Sequence, residues 1–339
     1  MGTPQSTAAL QHGPADVVVR AATWSRRIVG GVVLLALALA PFVPGSTAAT
    51  LTVLVAGLGI VAGVPHGAVD HLLLCRLTGR SLVQVTGVYA VVAGAAWCLI
   101  TWAGTAAAVL VVVLGAVHFG LGELEVWRES TGWRPGRGVA VAAALAGTGA
   151  LLVPLAFSGD LIEAVATAMS PGLAATIASA PVRLGGVVAW AVAAVVAGVA
   201  AHRAGRRAVV LDLALIGALG TVLPPLAAFA VWFGGWHAVR HTGRLLADEP
   251  GCAALLAAGR GGSALLRFCR LAALPTLAAL AVLAALAGFA RSAADPGAAI
   301  AEALKILLAL TVPHMVVVLW FDRRDRQAAH PTATASGAP

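Results

Sequence analysis

Apolar residues in this 339-residue chain come in unbroken blocks, among them Ala106–Val117 and Leu277–Ala287. Many of the wider apolar stretches reach the roughly 20 helical residues that cross a hydrocarbon core of about 30 Å. In lipid every backbone polar group must be satisfied internally, so such stretches are helices or strands of a closed barrel. The runs lack the in/out alternation of barrel strands, and helices follow. Composition agrees: 60% of the residues are apolar and 11% charged, against roughly 45–50% and about 25% in soluble domains. The expected fold class is an all-α polytopic membrane protein.

Ten spans fit the pattern, at 28–44, 50–75, 82–103, 105–127, 139–157, 183–201, 208–223, 225–246, 271–290 and 299–321. Eight or nine remain if the pair meeting at Pro224-Pro225 is re-entrant. Residues 1–26 read as a disordered polar tail, 27–322 as one membrane-embedded catalytic domain, and 323–339 as a cytoplasmic tail. A retained first span is expected rather than a signal peptide, because more membrane helix follows it. The segment 158–181 is expected along the outer surface.

The net charge of +8 does not indicate a nucleic-acid partner. The arginines sit in short clusters between apolar blocks, after alternate spans, with Arg244 counted among them. Ten spans with both termini cytoplasmic place nearly all of them inside, in the cell membrane. The cysteines Cys75, Cys98, Cys252 and Cys269 show no CxxC or zinc spacing and are expected as free thiols.

Six of the nine histidines lie inside spans: His66, His71, His118, His237, His241 and His314. Ionisable residues there are rare and usually face a bundle interior or a cavity. His66 and His118 each precede a flanking arginine, Arg76 and Arg128, by ten residues, and His314 precedes Arg323 by nine. At 1.5 Å per residue these three sit about 15 Å from the cytoplasmic arginines. His71, His237 and His241 lie somewhat nearer that surface. One layer fed by four helices is a site in a bundle core.

His237 and His241, four apart, place both imidazoles on one helical face about 6 Å apart, where they can chelate one ion. His66 and His71 are five apart, roughly 140° around a helix, and do not both point at it. Asp70, four after His66, shares its face as an orienting partner. Pro65 and Pro313 each precede a histidine and free carbonyls one turn earlier. Glu123 and Glu125 end a span, with Glu125 on the face of His118. Arg240 either snorkels or bridges to an acid such as Asp70 or Glu123. Phe119, Trp232, Phe233 and Trp236 are candidate pocket-lining aromatics, and Gly234-Gly235 admits a close helix or ligand. His71 and His314 are assigned supporting roles. His12, His202 and His330 read as surface residues. An imidazole cluster suits Fe, Zn, Cu or Ni.

Four segments carry a resemblance: Val64-Pro65-His66-Gly67-Ala68-Val69-Asp70, His118-Phe119-Gly120 with Glu123, His237-Ala238-Val239-Arg240-His241, and Val312-Pro313-His314-Met315. In order and in kind of span they resemble the Brp/Blh family of bacterial and archaeal membrane β-carotene 15,15′-dioxygenases. The resemblance covers about residues 50–322. It implies a non-haem Fe(II), the Fe(2+) cofactor, held by His66, His118, His237 and His241. His314 matches a further family position near the site. It also implies β-carotene and O₂ as substrates reached through membrane lipid, two molecules of retinal as product, and a rhodopsin as downstream acceptor. Ala238 stands where the family favours a small hydroxyl residue, and Glu123 where aspartate is common. His71 is not required by the pattern.

Two other classes compete. A membrane di-iron hydroxylase or desaturase needs HxxHH-type clusters, and this chain has no adjacent histidine pair. A metal-ion transporter needs paired acids along a pathway, and the span interiors hold little beyond Asp70 and Asp212. A carotenoid- or retinal-binding protein without catalysis is a third reading.

Overall fold

The computed structural model describes residues 14–157, 160–291 and 296–329. Among them secondary structure is entirely helical. The helices are α1 (Pro14–Leu39), α2 (Gly45–Gly63), α3 (Asp70–Thr78), α4 (Leu82–Trp102), α5 (Gly104–Thr131), α6 (Arg137–Gly147) and α7 (Gly149–Ala156). They continue as α8 (Asp160–Met169), α9 (Pro171–Ala178), α10 (Ala180–Arg203), α11 (Arg207–Val222), α12 (Pro225–Trp232), α13 (Ala238–Asp248), α14 (Pro250–Ala257), α15 (Gly261–Arg291) and α16 (Pro296–Ala329).

Seven helical segments are long and apolar enough to cross a membrane, or eight if α6 and α7, bent by 53°, form one span. The exterior is apolar, with Leu34, Val83, Leu184 and Leu274 among many exposed aliphatics. Buried inside are charged side chains, the reverse of a soluble protein and suited to lipid as solvent. The protein is a multi-pass membrane protein. Of the ten expected spans, 208–223 corresponds to α11, which at 16 residues is short. The span 225–246 corresponds to α12 and α13, which carry Arg240 and Arg244. Pro225 opens α12, where its missing N–H costs no helical bond, after extended Pro224.

Helix reaches into both segments expected as tails, over residues 14–26 and 323–329. Residues 14–26 are part of α1, because Val18, Ala22, Val29 and Val33 make one buried stripe along it. At the other end α16 runs on to Ala329. His12 and His330 lie outside the described residues. The segment 158–181 holds α8 and α9, with Ser158 and Gly159 outside the described residues. All four cysteines are free.

Local sequence sets the joints. Ser81 and Gln84 form a capping box that starts α4. Gly79 and Gly132, at φ 67° and 69°, terminate α3 and α5 in the left-handed region that glycine adopts without strain. Close helix contacts use small residues. A Cβ on Gly234 would lie 3.0 Å from the Cα of Gly59, and one on Gly147 would lie 3.1 Å from the Cα of Gly120.

Candidate metal centre

Two breaks in helical geometry build the centre. At Pro65 the second segment tightens into a 3₁₀ turn, Val64–His66, before restarting as α3. Between α12 and α13 the chain widens into a π-helix over Phe233–His237, a local form found mostly at functional sites. Gly234 lets α2 approach at Gly59, and Gly235 accommodates Ile28 of α1, so the glycine pair serves helix packing.

These breaks, with α5 and α16, bring five buried imidazoles together: His66, His118, His237, His241 and His314. Ring centroids of His66 lie 5.1 Å from His237, 5.5 Å from His241 and 5.0 Å from His314. His118 lies 5.6 Å from His237 and 5.2 Å from His314. His237 and His241 are parallel to within 1° at 6.1 Å, as their spacing predicts. Partly exposed His71 on α3 is not among the contacting rings, and His202 is exposed on α10.

The rings carry the donor set of a metal. Nδ1 of His66 faces the carbonyl of Gly63, which only accepts, so Nδ1 holds the proton and Nε2 the lone pair. Buried Nε2 atoms of His118, His237, His241 and His314 have no hydrogen-bond partner. Buried polar atoms are ordinarily satisfied, so four unpartnered ring nitrogens in one cluster of imidazoles suit a metal ion. Ligand atoms of His66, His237 and His314 lie within 4.8 Å of one another. His314, expected in a supporting place, therefore sits inside the cluster.

The acids around it are sorted by partner. Asp70 was expected to orient His66, but the 3₁₀ turn between them removes the i,i+4 relation. Its Oδ2 instead accepts from Nδ1 of His314 at 2.7 Å and from the Tyr89 hydroxyl at 3.2 Å. Glu123 accepts from Trp236 Nε1 at 2.9 Å and from Arg240 Nη1 at 2.7 Å. Arg240 therefore bridges and does not snorkel. It also lies 3.0 Å from Asp212 and donates from Nε to Ser25. Glu125 pairs with Arg128 and is absent from the cavity lining, which includes His118, Gly122, Glu123, His237, Arg240 and His241. Arg244, counted above among surface cations, is buried between Glu129 and Asp322.

Phe119 packs on Trp232 at 4.6 Å and on His237 at 5.0 Å, and Phe233 stands edge-on to His66 at 5.5 Å. Trp236 is turned to Arg240, whose Cζ lies 3.6 Å from its ring centroid. Tyr89, Ser25, Glu129 and Asp322 had not been singled out for the site. Tyr89 had one sequence signal, being the single tyrosine of the chain. Arg244 had another, one helical turn beyond Arg240 on the same face.

Residues 55–322 match the family described as Beta-carotene 15,15′-dioxygenase. The chain is also 32% identical over 293 residues, covering 78% of it and 82% of the relative, to "Probable beta-carotene 15,15′-dioxygenase Blh" of Halobacterium salinarum (strain ATCC 700922 / JCM 11081 / NRC-1). No solved structure matches the chain. All five clustered histidines fall within the matched residues, so the buried centre and the family match coincide, and the chain belongs to the β-carotene 15,15′-dioxygenase family.

Proposed function

We propose that this membrane enzyme cleaves β-carotene at its central 15,15′ double bond with O₂, using non-haem Fe(II) held by His66, His118, His237 and His241. A cluster of buried imidazoles with unpartnered Nε2 atoms, in a chain of this family, carries that reading. Iron, when bound, supplies the activation of O₂ that a polyene alone does not provide. The reaction balances as one β-carotene and one O₂ giving two retinal molecules, each carbon of the broken double bond gaining one oxygen.

The chain's own residues orient and exclude. Gly63 holds the His66 ring in the tautomer with a free Nε2. Phe119, Trp232 and Phe233 form an aromatic wall beside the imidazoles on which a planar polyene can stack. Trp236, a further candidate of that group, is held by Glu123 and Arg240. The polyene enters from the lipid phase, and retinal leaves by the same phase toward an acceptor such as a rhodopsin.

We further infer ten spans, with α11 and the α12–α13 segment as the additional two, both termini cytoplasmic, and the cell membrane as location. The clusters Arg76 with Arg80, Arg134 with Arg137, and Arg203 with Arg206 and Arg207 support that orientation. The functional test is expression in a β-carotene-producing bacterium, with pigments separated by chromatography beside a His237→Ala strain. Retinal appearing only with the unmutated chain supports the reading. Unchanged carotene, with iron-loaded protein in the membrane, contradicts it.

A further inference from the structure

The buried carboxylates of this protein divide sharply. Glu123 and Asp212 share Arg240, Asp212 also takes Arg26, Glu125 takes Arg128, and Asp322 takes Arg244. Asp70 is buried to 2% exposure, and among the described residues its ion-pairing partner is His314. A carboxylate in a low-dielectric interior without a permanent cation is costly unless positive charge stands nearby. The hydrogen bond to His314 passes that requirement to the far side of the ring. There, Nε2 is buried and unpartnered, and a ring nitrogen of His314 lies within 4.8 Å of those of His66 and His237.

A carboxylate fixes what an imidazole can do. With Asp70 Oδ2 accepting at Nδ1, the ring of His314 keeps its lone pair on Nε2. Tyr89 donates to the same Oδ2, and its oxygen also lies 3.3 Å from the Leu310 carbonyl, one turn before His314 on α16. Tyr89 therefore ties α4, α3 and α16 at one point. Carboxylate–histidine pairs of this kind raise ligand basicity and set ring orientation at metal sites.

We propose that His314 is a fifth imidazole donor to the metal, and that Asp70, steadied by Tyr89, is the residue that positions it. The inference rests on the metal-site reading above and extends its donor set from four to five. It accounts for the orphaned Nε2 of His314, and for a buried acid that pairs with no arginine among the described residues.

The test measures metal binding in the full chain purified metal-free in detergent, with Co(II) as spectroscopic probe and Fe(II) as the native ion. Asp70→Asn keeps the shape and loses the charge. It is expected to weaken Co(II) binding about 10–100-fold and to shift the ligand-field bands. His314→Ala should do so at least as strongly, and Tyr89→Phe less. Unfolding of the metal-free proteins separates a structural role, since a positioning residue lowers the increment in stability that the metal adds and leaves the metal-free value near that of the unmutated chain. Unmutated affinity and bands in both Asp70→Asn and His314→Ala, beside loss of binding in His237→Ala, overturn the five-donor proposal and leave the metal site standing. An unmutated chain that binds neither ion overturns both.

Discussion

Arg240 and Glu123 form a salt bridge at 2.7 Å with both side chains 1% exposed, one helical layer from the imidazoles. Arg240 follows His237 by three residues and precedes His241 by one, so whatever fixes the arginine fixes the turn bearing both rings. Removing one partner of such a pair strands a buried charge and costs about 3–5 kcal/mol. Arg240→Met, which strands Glu123, is expected to lower the unfolding midpoint in detergent by that equivalent. Glu123→Gln should lower it by less, because Arg240 keeps Asp212. Both should lower the iron content of the protein. The double variant should lose less than the sum, because neither charge is then left alone. A sum that adds fully contradicts direct coupling.

A second expectation concerns the space beside the π-helix. A Cβ on Gly234 would press on the Gly59 backbone, and one on Gly63 would enter the Phe233 ring. Gly234→Ala and Gly63→Ala should therefore separate α2 from the histidine segment, with a stability loss of about 1–3 kcal/mol and lower metal occupancy. Gly57→Ala, with nothing within 4 Å of the added carbon, is the control expected to be near neutral in both. Comparing unfolding midpoints and iron content across the three proteins decides it.

Metal removal gives the third. Stripping the purified protein with a strong chelator should lower its thermal midpoint as well as its activity, because it leaves several buried ring nitrogens without a partner. Added Fe(II) should restore both. An unchanged midpoint on stripping means the rings do not share an ion.

The fourth concerns an acid outside the candidate membrane-spanning segments. Glu249 caps α14 by accepting from the Cys252 backbone N–H at 2.6 Å. It also pairs with Arg267, and these bonds, Arg267 first, hold its carboxyl at about 2 against an ordinary 4.5. A depressed acid stabilises the fold fully above its unfolded value, and that contribution disappears as pH falls from about 4.5 through about 2. Glu249→Gln should cost about 1 kcal/mol at neutral pH, and the gap to the unmutated protein should close under acid. Equal loss at pH 7 and at pH 2.5, by denaturant unfolding, contradicts the assignment.

How much of this was legible in the sequence depended on whether one helix or several carried the relation. The pairing of His237 with His241 depends on one regular turn and is found where the spacing puts it. His71 lies outside the ring cluster, but on α3 beyond the 3₁₀ turn, so the regular-helix spacing from His66 does not account for it. Asp70 was matched to His66 by the same arithmetic, yet the 3₁₀ turn after Pro65 breaks the periodicity and gives the acid to His314, 244 residues away. The links from Ser25 and Arg26 to α13 and α11 were hidden for another reason. The polar residues before Arg26 suggested disorder, while the stripe from Val18 through Val33 already carried the helix. Arg244 appeared to be a surface cation because the acids that bury it, Glu129 and Asp322, lie on other helices.

The most direct test combines stoichiometry and product in one preparation. Full-length protein purified without oxygen is assayed for iron, supplied with β-carotene, and then given O₂ while retinal is counted. About one iron per chain, with two retinal molecules for each β-carotene consumed and neither in a His118→Ala preparation, is the predicted result. Unequal apocarotenal products, or full turnover in protein free of iron, would contradict the account.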